Sequence, residues 1–197
     1  PVISDLEYDQ LIDRLRQIEA KHPDLQTPES PTQRVGEQPV ENLQSIEHRV
    51  PMLSIDNTYS VEEVRKYADR VAKLLPDEPI EWVVELKIDG VAATVIYERG
   101  ILARALTRGN GVVGDDITHN IRTVKDVPLR LTGSSTPKLL EVRGEIYMKN
   151  SDLVKLNRRQ EQQGETIFAN TRNVTAGSIR LLDPRKCAQR PLHMFCH

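Results

Sequence analysis

The chain has 197 residues, of which 38% are apolar, 28% charged and 4% aromatic, and its formal net charge is −2. This length suits one domain, or one domain with a small additional unit. The balanced charge argues against a basic tail that binds nucleic acid. No apolar run is long enough to span a membrane, and no signal peptide is visible.

The two cysteines, Cys187 and Cys196, lack the paired spacing of a zinc site and make no disulfide framework. We therefore expect reduced thiols and a cytoplasmic location, and we identify no protein ligand set for a metal. The chain begins with Pro1 and ends at His197 in an apolar stretch, so we expect a fragment.

The first predicted element is an amphipathic helix over residues 5–20, with an acidic first turn. On composition alone, carboxylates that favour the helix dipole explain this turn. The alternative is a surface for a cationic or ribose-bearing group. A proline-rich connector over 22–51 follows, and it predicts a boundary between a small helical unit, residues 1–36, and a larger body, residues 37–197.

Residues 52–59 predict a short strand that runs into a turn, with Ser54 and Ile55 at a strand end where ligands often bind. Ser60 and Glu63 form a capping-box pattern for a helix over 61–75, which Pro76 ends. We interpret most of this region as scaffold.

Residues 82–97 predict two strands that meet near Gly90. Alternation along the first strand sends Glu85, Lys87 and Asp89 to one face and directs Trp82, Val84, Leu86 and Ile88 to a core. A lysine amine, with an ordinary pKa of ~10.4, needs a special environment to act as a nucleophile. From these residues alone, an ordinary solvated strand face is the better interpretation. Gly90 allows close approach of a ligand or another backbone.

A hairpin turn at 98–100 leads to a third strand over 101–108 and then to a glycine-rich segment over 108–116. That segment is either a flexible surface loop or a backbone that approaches a phosphate or ribose, with Arg108 as a fixed cation. A helix over 116–124 is predicted next.

The strand predicted over 139–148 places Glu141, Arg143, Glu145 and Tyr147 on one face, which is either a solvated edge or part of a site. Ser151 is expected to cap a helix that runs to Gln163 and stops at Gly164. A last short helix is expected to end at residues 183–184.

Several motifs occur in order along the chain and together resemble bacterial NAD-dependent DNA ligases. Lys87-Ile88-Asp89-Gly90 resembles the nucleophile motif shared by covalent nucleotidyltransferases, which are DNA ligases, RNA ligases and capping enzymes. The other matching segments are residues 4–11, 24–36, 52–57, 107–111, 140–145, 168–173 and 176–178. The resemblance covers nearly the whole chain, and it favours the functional interpretation of Lys87, Arg108 and Glu145.

The resemblance implies a role for each matching residue. Lys87 would attack the α-phosphorus of NAD, form lysyl-AMP and release nicotinamide mononucleotide (NMN), with Asp89 in support. Glu85 would bind the adenine edge, and Arg108 and Glu145 the ribose and phosphate of AMP. The remaining cofactor-binding candidates are Ser54 and Ile55 beside the nucleotide, and Asp5, Leu6, Glu7, Tyr8 and Asp9 around the cationic nicotinamide half.

The resemblance implies an α+β fold, with an ATP-grasp-like nucleotidyltransferase core of antiparallel sheets after a small helical unit. The implied activity is Mg²⁺-dependent sealing of nicks in duplex DNA, in replication and repair, by a monomer without membrane contact. Strands with further lysines and the DNA-gripping domains of the family do not occur in the sequence. We therefore expect the fragment to bind DNA weakly or not at all and to be impaired or inactive in adenylation.

Two alternatives stay open at this point. The chain could belong to an ATP-dependent ligase or capping-type enzyme, against which the N-terminal helix argues. It could also be a fragment that binds NAD or AMP without catalysis.

Overall fold

The computed structural model describes residues 5–27, 29–34, 40–133 and 135–197, without the side chains at positions 5, 6, 8, 9, 33 and 34. Its helices are α1 (Asp5–Lys21), α2 (Val61–Leu74), α3 (Thr118–Ile121), α4 (Asn150–Gln163), α5 (Thr171–Ile179) and α6 (Pro184–Ala188). Its strands are β1 (Ser45–Glu47), β2 (Val91–Glu98), β3 (Ile101–Thr107), β4 (Val113–Asp115), β5 (Leu139–Tyr147) and β6 (His193–Cys196). Short 3-10 helices cover Pro23–Leu25 and Pro31–Arg34. None of the described helices has the length and apolar character needed to cross a membrane.

The centre of the fold is an antiparallel sheet with strand order β3-β2-β5-β6. The first two strands are joined by a two-residue turn in which Arg99 has φ 50° and Gly100 has φ 81°. Positive φ at both central residues is the geometry of a turn that matches the twist of paired strands. The α+β class, the antiparallel sheet, this hairpin and β5 are therefore confirmed.

One face of this sheet carries the core, and α3, α5 and α6 contribute buried side chains to it. Side chains from alternate positions of β2 lie against apolar side chains of these helices. The largest fully buried apolar side chains are Leu102, Leu106, Ile117, Ile121, Ile146, Ile179, Val95, Val124, Val127 and Val174. Burying each of them contributes about 1.5–3 kcal/mol, so the sheet is a firm platform for the residues at its ends.

The opposite face of the sheet is polar and is partly covered by the chain that follows β1. Strand β1 pairs with β4, with Ser45 opposite Asp115, in a separate two-stranded sheet. The backbone of β4 is linked to β3, because the Asp115 N–H donates to Thr107 Oγ1 at 2.9 Å. Residues 45–54 are thereby held near the end of β3.

Two predicted strands are wrong. Residues 52–59 and 79–89 have no regular structure, and β2 begins only at Val91. Trp82, Val84 and Leu86 are 54%, 95% and 85% exposed, so the predicted burial of this face is wrong at these positions, whereas Ile88 is partly buried. A strand needs a hydrogen-bonded neighbour, and β5 pairs with the chain only from Val91 and β3 only from Ala93.

Helix α2 has the predicted cap, since Ser60 Oγ accepts a hydrogen bond from the Glu63 N–H at 3.2 Å. Its apolar stripe is not buried, because Val61 and Val64 are 65% and 52% exposed. Within the described chain, the ring of Trp82 contacts Tyr67 of this helix edge to face at 5.9 Å.

The remaining differences concern helix ends. Helix α3 covers four residues rather than nine, and α4 begins with Lys149 as its N-cap, so Ser151 does not cap it. Gly164 ends α4 at φ 69°, as predicted. Asp183 does not end the last helix but caps a further one, α6, because its carboxylate accepts the Arg185 N–H at 3.0 Å.

Gly90 is required by the close packing of β2 against β5, because a Cβ placed on it would lie 2.1 Å from the Ile146 carbonyl oxygen. We expect Gly90→Ala to lower the free energy of unfolding by about 1–3 kcal/mol, since the two backbones must separate. Chemical denaturation monitored by circular dichroism measures this.

The matched control is Gly177→Ala in α5, where no heavy atom other than those of its two neighbours and its own helix backbone lies within 4 Å of the added methyl group. Alanine is favoured over glycine inside a helix by about 0.5–1 kcal/mol, so this variant should be at least as stable as the unsubstituted protein. Equal stability of the two variants would contradict the assigned packing.

Candidate functional site

The segment that enters β2 carries the predicted nucleophile. Lys87 and Glu85 are exposed and have no hydrogen-bond partner among the described residues. Asp89 accepts a hydrogen bond from Arg172 Nη1 at 2.6 Å, and both side chains are more than half exposed. An ion pair in that setting contributes little to stability, so its effect is to orient Asp89 and the first turn of α5.

Glu145 is fixed directly against the end of this segment. The Gly90 N–H donates to Glu145 Oε1 at 3.0 Å, and the Glu145 side chain is half-buried on β5. The register pairs Glu145 with Ala92, two residues after Gly90. The structure thus brings Glu145 to the end of the Lys87-Ile88-Asp89-Gly90 motif.

Arg108 lies on the other side of the same strand. It follows β3, and its N–H donates to the Ala92 carbonyl at 3.0 Å. The backbones of Arg108 and Glu145 therefore flank Ala92 from opposite sides. Ala92, which lies between this arginine and this carboxylate at the entrance of β2, has only a methyl side chain.

The glycine-rich segment after Arg108 is an ordered turn and not a flexible loop. The Arg108 carbonyl accepts the Gly111 N–H at 3.0 Å, and Asn110 Oδ1 accepts the N–H groups of Val112 and Val113 at 2.9 and 2.8 Å. Gly109 has φ 56°, and a Cβ there would lie 1.9 Å from the Val113 carbonyl oxygen. The glycines here permit a tight turn that sets the direction in which Arg108 leaves β3.

Ser54 is placed beside Arg108, because Arg108 Nη1 donates to Ser54 Oγ at 3.4 Å. Ile55 is 74% exposed. The chain before Ser54 is held by Arg143, whose Nη2 and Nη1 donate to the carbonyls of Val50 and Pro51 at 2.6 and 3.0 Å. Arg143 also pairs with Glu141 at 3.1 Å.

Sequence reasoning gave no role to Arg143 or Arg172. The alternating pattern of β5 placed Arg143 on the face of Glu145, and Arg172 lay inside a matching motif. Neither pattern indicates a partner more than 80 positions away in the chain, which only the folded sheet brings close.

Helix α1 is present where it was predicted, near the N-terminus. The residues on it that were predicted to bind the nicotinamide half are only partly described. The side chains of Asp5, Leu6, Tyr8 and Asp9 lie outside the described residues, and Glu7 is exposed. The helix is fastened to the connector by the buried Glu19, which accepts hydrogen bonds from Ser30 and Thr32, each at 2.5 Å.

The connector also contacts the main body before it reaches β1. Arg130 pairs with Glu29 at 2.6 Å, and the Val40 N–H donates to the Leu182 carbonyl at 2.8 Å. These contacts fasten the connector to the body at residues 29 and 40.

Among the residues that the structure describes, no group of three His, Cys, Asp or Glu side chains is placed to hold a metal ion. Asp89 of the motif accepts a hydrogen bond from Arg172, Glu145 accepts one from the Gly90 N–H, and Glu85 lies exposed before the motif and belongs to no such group in the described chain. The protein side chains in this part of the chain therefore do not fit a resident metal site.

Comparison with known families adds two matches that together span most of the chain. Residues 40–197 match the family described as the NAD-dependent DNA ligase adenylation domain. Residues 1–36 match the family described as the DNA ligase-like, N-terminal NAD+-binding domain.

Three similar curated proteins are each named DNA ligase. The chain is 53% identical to the one from Rhodopirellula baltica over 207 aligned residues, which are 100% of this chain and 29% of that protein. It is 49% identical to that of Methylacidiphilum infernorum, over 98% of the chain and 28% of the relative, and 51% identical to that of Fervidobacterium nodosum, over 100% and 28%. The chain thus spans less than a third of these relatives.

Proposed function

This chain belongs to the family of NAD-dependent DNA ligase adenylation domains, and from that premise we propose that Lys87 is its nucleophile. The observation that carries the proposal is the hydrogen bond from the Gly90 N–H to Glu145. It brings the end of the Lys87-Ile88-Asp89-Gly90 motif to the position where Arg108 and Glu145 flank Ala92. These are the groups that a nucleotide at this end of the sheet would meet.

In the proposed reaction, Lys87 Nζ attacks the α-phosphorus of NAD, the phosphorus of its AMP half. A nitrogen–phosphorus bond forms, the bond to the bridging oxygen breaks, and the oxygen leaves with NMN. The amine must lose its proton before or during the attack, because an ammonium group has no free electron pair. The exposure of Lys87 leaves its amine open to an incoming phosphate.

Other residues at the entrance of β2 would bind the AMP half of NAD. Arg108 supplies a fixed cation for the phosphate or ribose, and its contact with Ser54 places the 54–55 segment, including Ile55, beside the same group. Glu145 and the exposed Glu85 supply acceptors for the ribose hydroxyls and the adenine edge. Asp89 would support Lys87 indirectly, and its ion pair with Arg172 orients its carboxylate next to the nucleophile.

The N-terminal residues match an NAD+-binding domain family, which supports NAD as the AMP donor. We place the nicotinamide half against the first turns of α1, at Asp5, Leu6, Glu7, Tyr8 and Asp9. Carboxylates next to a cationic ring lower the cost of removing both from water. We propose a domain boundary between residues 1–36 and 37–197, and the family matches over residues 1–36 and 40–197 support it.

The activity of the longer protein is a further step of the proposal. AMP would pass from Lys87 to a 5′-phosphate at a nick in duplex DNA, and a 3′-hydroxyl would then displace it. Such a protein would act as a cytoplasmic monomer beside bacterial DNA. Mg²⁺ would bind mainly to the phosphates, as it commonly does, and no step here is assigned to it.

Residues 1–197 alone should bind adenine nucleotide weakly and react slowly. Arg108 is the cation that we assign to the nucleotide in this chain, and a transferring phosphoryl group is usually held by several. DNA binding should also be weak, because duplex affinity depends on cations that neutralise the DNA phosphates and this chain has a net charge of −2. A donor other than NAD, such as ATP, is disfavoured by the match of residues 1–36.

Replacing Lys87 tests the proposed nucleophile. The assay uses NAD that is radiolabelled in its AMP half. In the full-length protein that contains these residues, Lys87→Ala should abolish transfer of the label from NAD to the protein. Lys87→Arg should fail as well, because a guanidinium is not deprotonated in proteins. Since Lys87 is exposed, both variants should keep the free energy of unfolding within about 0.5 kcal/mol.

The control for Lys87 is Lys73→Ala, which removes another exposed lysine from α2 and should leave labelling unchanged. Labelled Lys87→Ala protein would show that a different residue is the nucleophile.

Replacing residues of α1 separates the two halves of NAD. In the full-length protein, Tyr8→Ala or Asp9→Ala should slow adenylation from NAD, because these residues are assigned to the nicotinamide half. Joining of nicked DNA that already carries a 5′-AMP should be nearly unchanged, because NMN takes no part in it.

Asp13→Ala is the control on the same helix, because this exposed carboxylate pairs only with Arg16 among the described residues and should affect neither assay. An equal loss in both assays for Tyr8→Ala would mean that α1 supports the fold and does not bind NAD.

A further inference from the structure

We propose that His48 is a positioning residue for the reaction, which it serves by holding the backbone carbonyl of Arg108. This proposal rests on the proposed function, in which Arg108 binds the AMP half of NAD. His48 itself would contact neither NAD nor Lys87.

The imidazole of His48 is buried, with 6% of the residue exposed, and it lies under the turn that follows β3. Its Nε2 is 3.1 Å from the Arg108 carbonyl oxygen. A carbonyl can only accept, so the proton of the ring lies on Nε2. The other nitrogen, Nδ1, is buried and has no partner in the described part of the chain. The ring is therefore held chiefly by its bond to Arg108.

The ring lies against β4, the strand that follows this turn, at a position where a side chain on β4 would crowd it. A Cβ on Gly114 would lie 2.9 Å from His48 Nε2. The Arg108 carbonyl accepts two hydrogen bonds, one from this ring and one from the Gly111 N–H at 3.0 Å. The turn is thus stabilised by its own backbone hydrogen bond from Gly111 and by the hydrogen bond from the His48 ring.

Backbone bonds hold the segment of His48 against the same turn. The His48 N–H donates to the Val112 carbonyl and the Met52 N–H to the Gly111 carbonyl, both at 2.8 Å. Ser54, two residues after Met52, is the group that meets the Arg108 guanidinium. His48 therefore holds the backbone of Arg108. The segment after His48 places Ser54 next to the Arg108 side chain.

Arg108 needs such support because its side chain is exposed and follows directly after the last residue of β3. A cation that binds a transferring phosphoryl group must be held close to its productive position, and a displacement of 1 Å can cost about 10²-fold in rate. Loss of the ring would leave the Arg108 carbonyl with the Gly111 N–H as its remaining partner in the described chain, and would loosen the turn without touching Lys87.

The test compares variants of His48 in the full-length protein. His48→Ala should lower kcat/KM for adenylation from NAD by about 10- to 100-fold. His48→Gln should recover most of this loss, because its amide Nε2 is as many bonds from Cβ as the imidazole Nε2 and also donates. The matched control is His119→Ala, which removes a histidine that bonds to a backbone carbonyl elsewhere, Leu181 at 2.8 Å, and should lower the rate by less than about 3-fold.

Two readouts separate positioning from a general loss of structure. In an Arg108→Ala background, adding His48→Ala should lower the rate by no more than about 2-fold, because both changes act on one group. Hydrogen exchange at the Gly111 amide, which bonds to the Arg108 carbonyl, should be faster in His48→Ala and unchanged in His119→Ala.

The outcomes are distinguishable. If the unsubstituted protein forms no AMP adduct, or if Arg108→Ala keeps the full rate, the proposed function of this site fails. If adenylation depends on Arg108 but His48→Ala behaves like His119→Ala, or if the losses at His48 and Arg108 multiply in the double variant, the positioning role alone is overturned.

Discussion

The site depends on the close approach of Gly90, the residue immediately before β2, to strand β5. Gly90 has no side chain, so its backbone can lie against the Ile146 carbonyl while its N–H donates to Glu145. A larger residue would push the two strands apart and separate Lys87 from the carboxylate on β5. Gly90, three residues after the proposed nucleophile, therefore both permits the close packing of the strands and holds Glu145 near the motif.

The sheet explains why residues that are distant in the sequence form one site. Because β2 lies between β3 and β5, Arg108 and Glu145 meet Ala92 from opposite sides. Alternation along β2 and β5 directs apolar side chains to the helices on one face, and it places Glu141, Arg143 and Glu145 of β5 on the other. The core therefore fixes the register, and the register fixes which charged groups are neighbours. The segment after β1 is then fastened to the polar face through Arg143 and His48.

Local patterns predicted several elements whose hydrogen bonds are local, although the cap expected at Ser151 does not form. The hairpin at Arg99, the cap at Ser60 and the stop at Gly164 all follow from neighbouring residues, and each is present. Trp82–Leu86 has the composition of a strand but has no neighbour to pair with in the described chain, so composition alone gave the wrong result. The candidate residues could be named from motifs, whereas the partners of Asp89 and Glu145 required the sheet register and the position of α5. The role of His48 could not be predicted, because a lone histidine in a connector has no informative pattern.

The most direct test of this account is to locate the AMP on the protein after a single turnover with NAD. We would incubate the full-length protein with NAD and Mg²⁺, digest it, and sequence the modified peptide by mass spectrometry under conditions that preserve a phosphoramidate. The account predicts one added AMP, carried by Lys87, and none when ATP replaces NAD. An AMP group on any other residue, or equal modification from ATP, would contradict it.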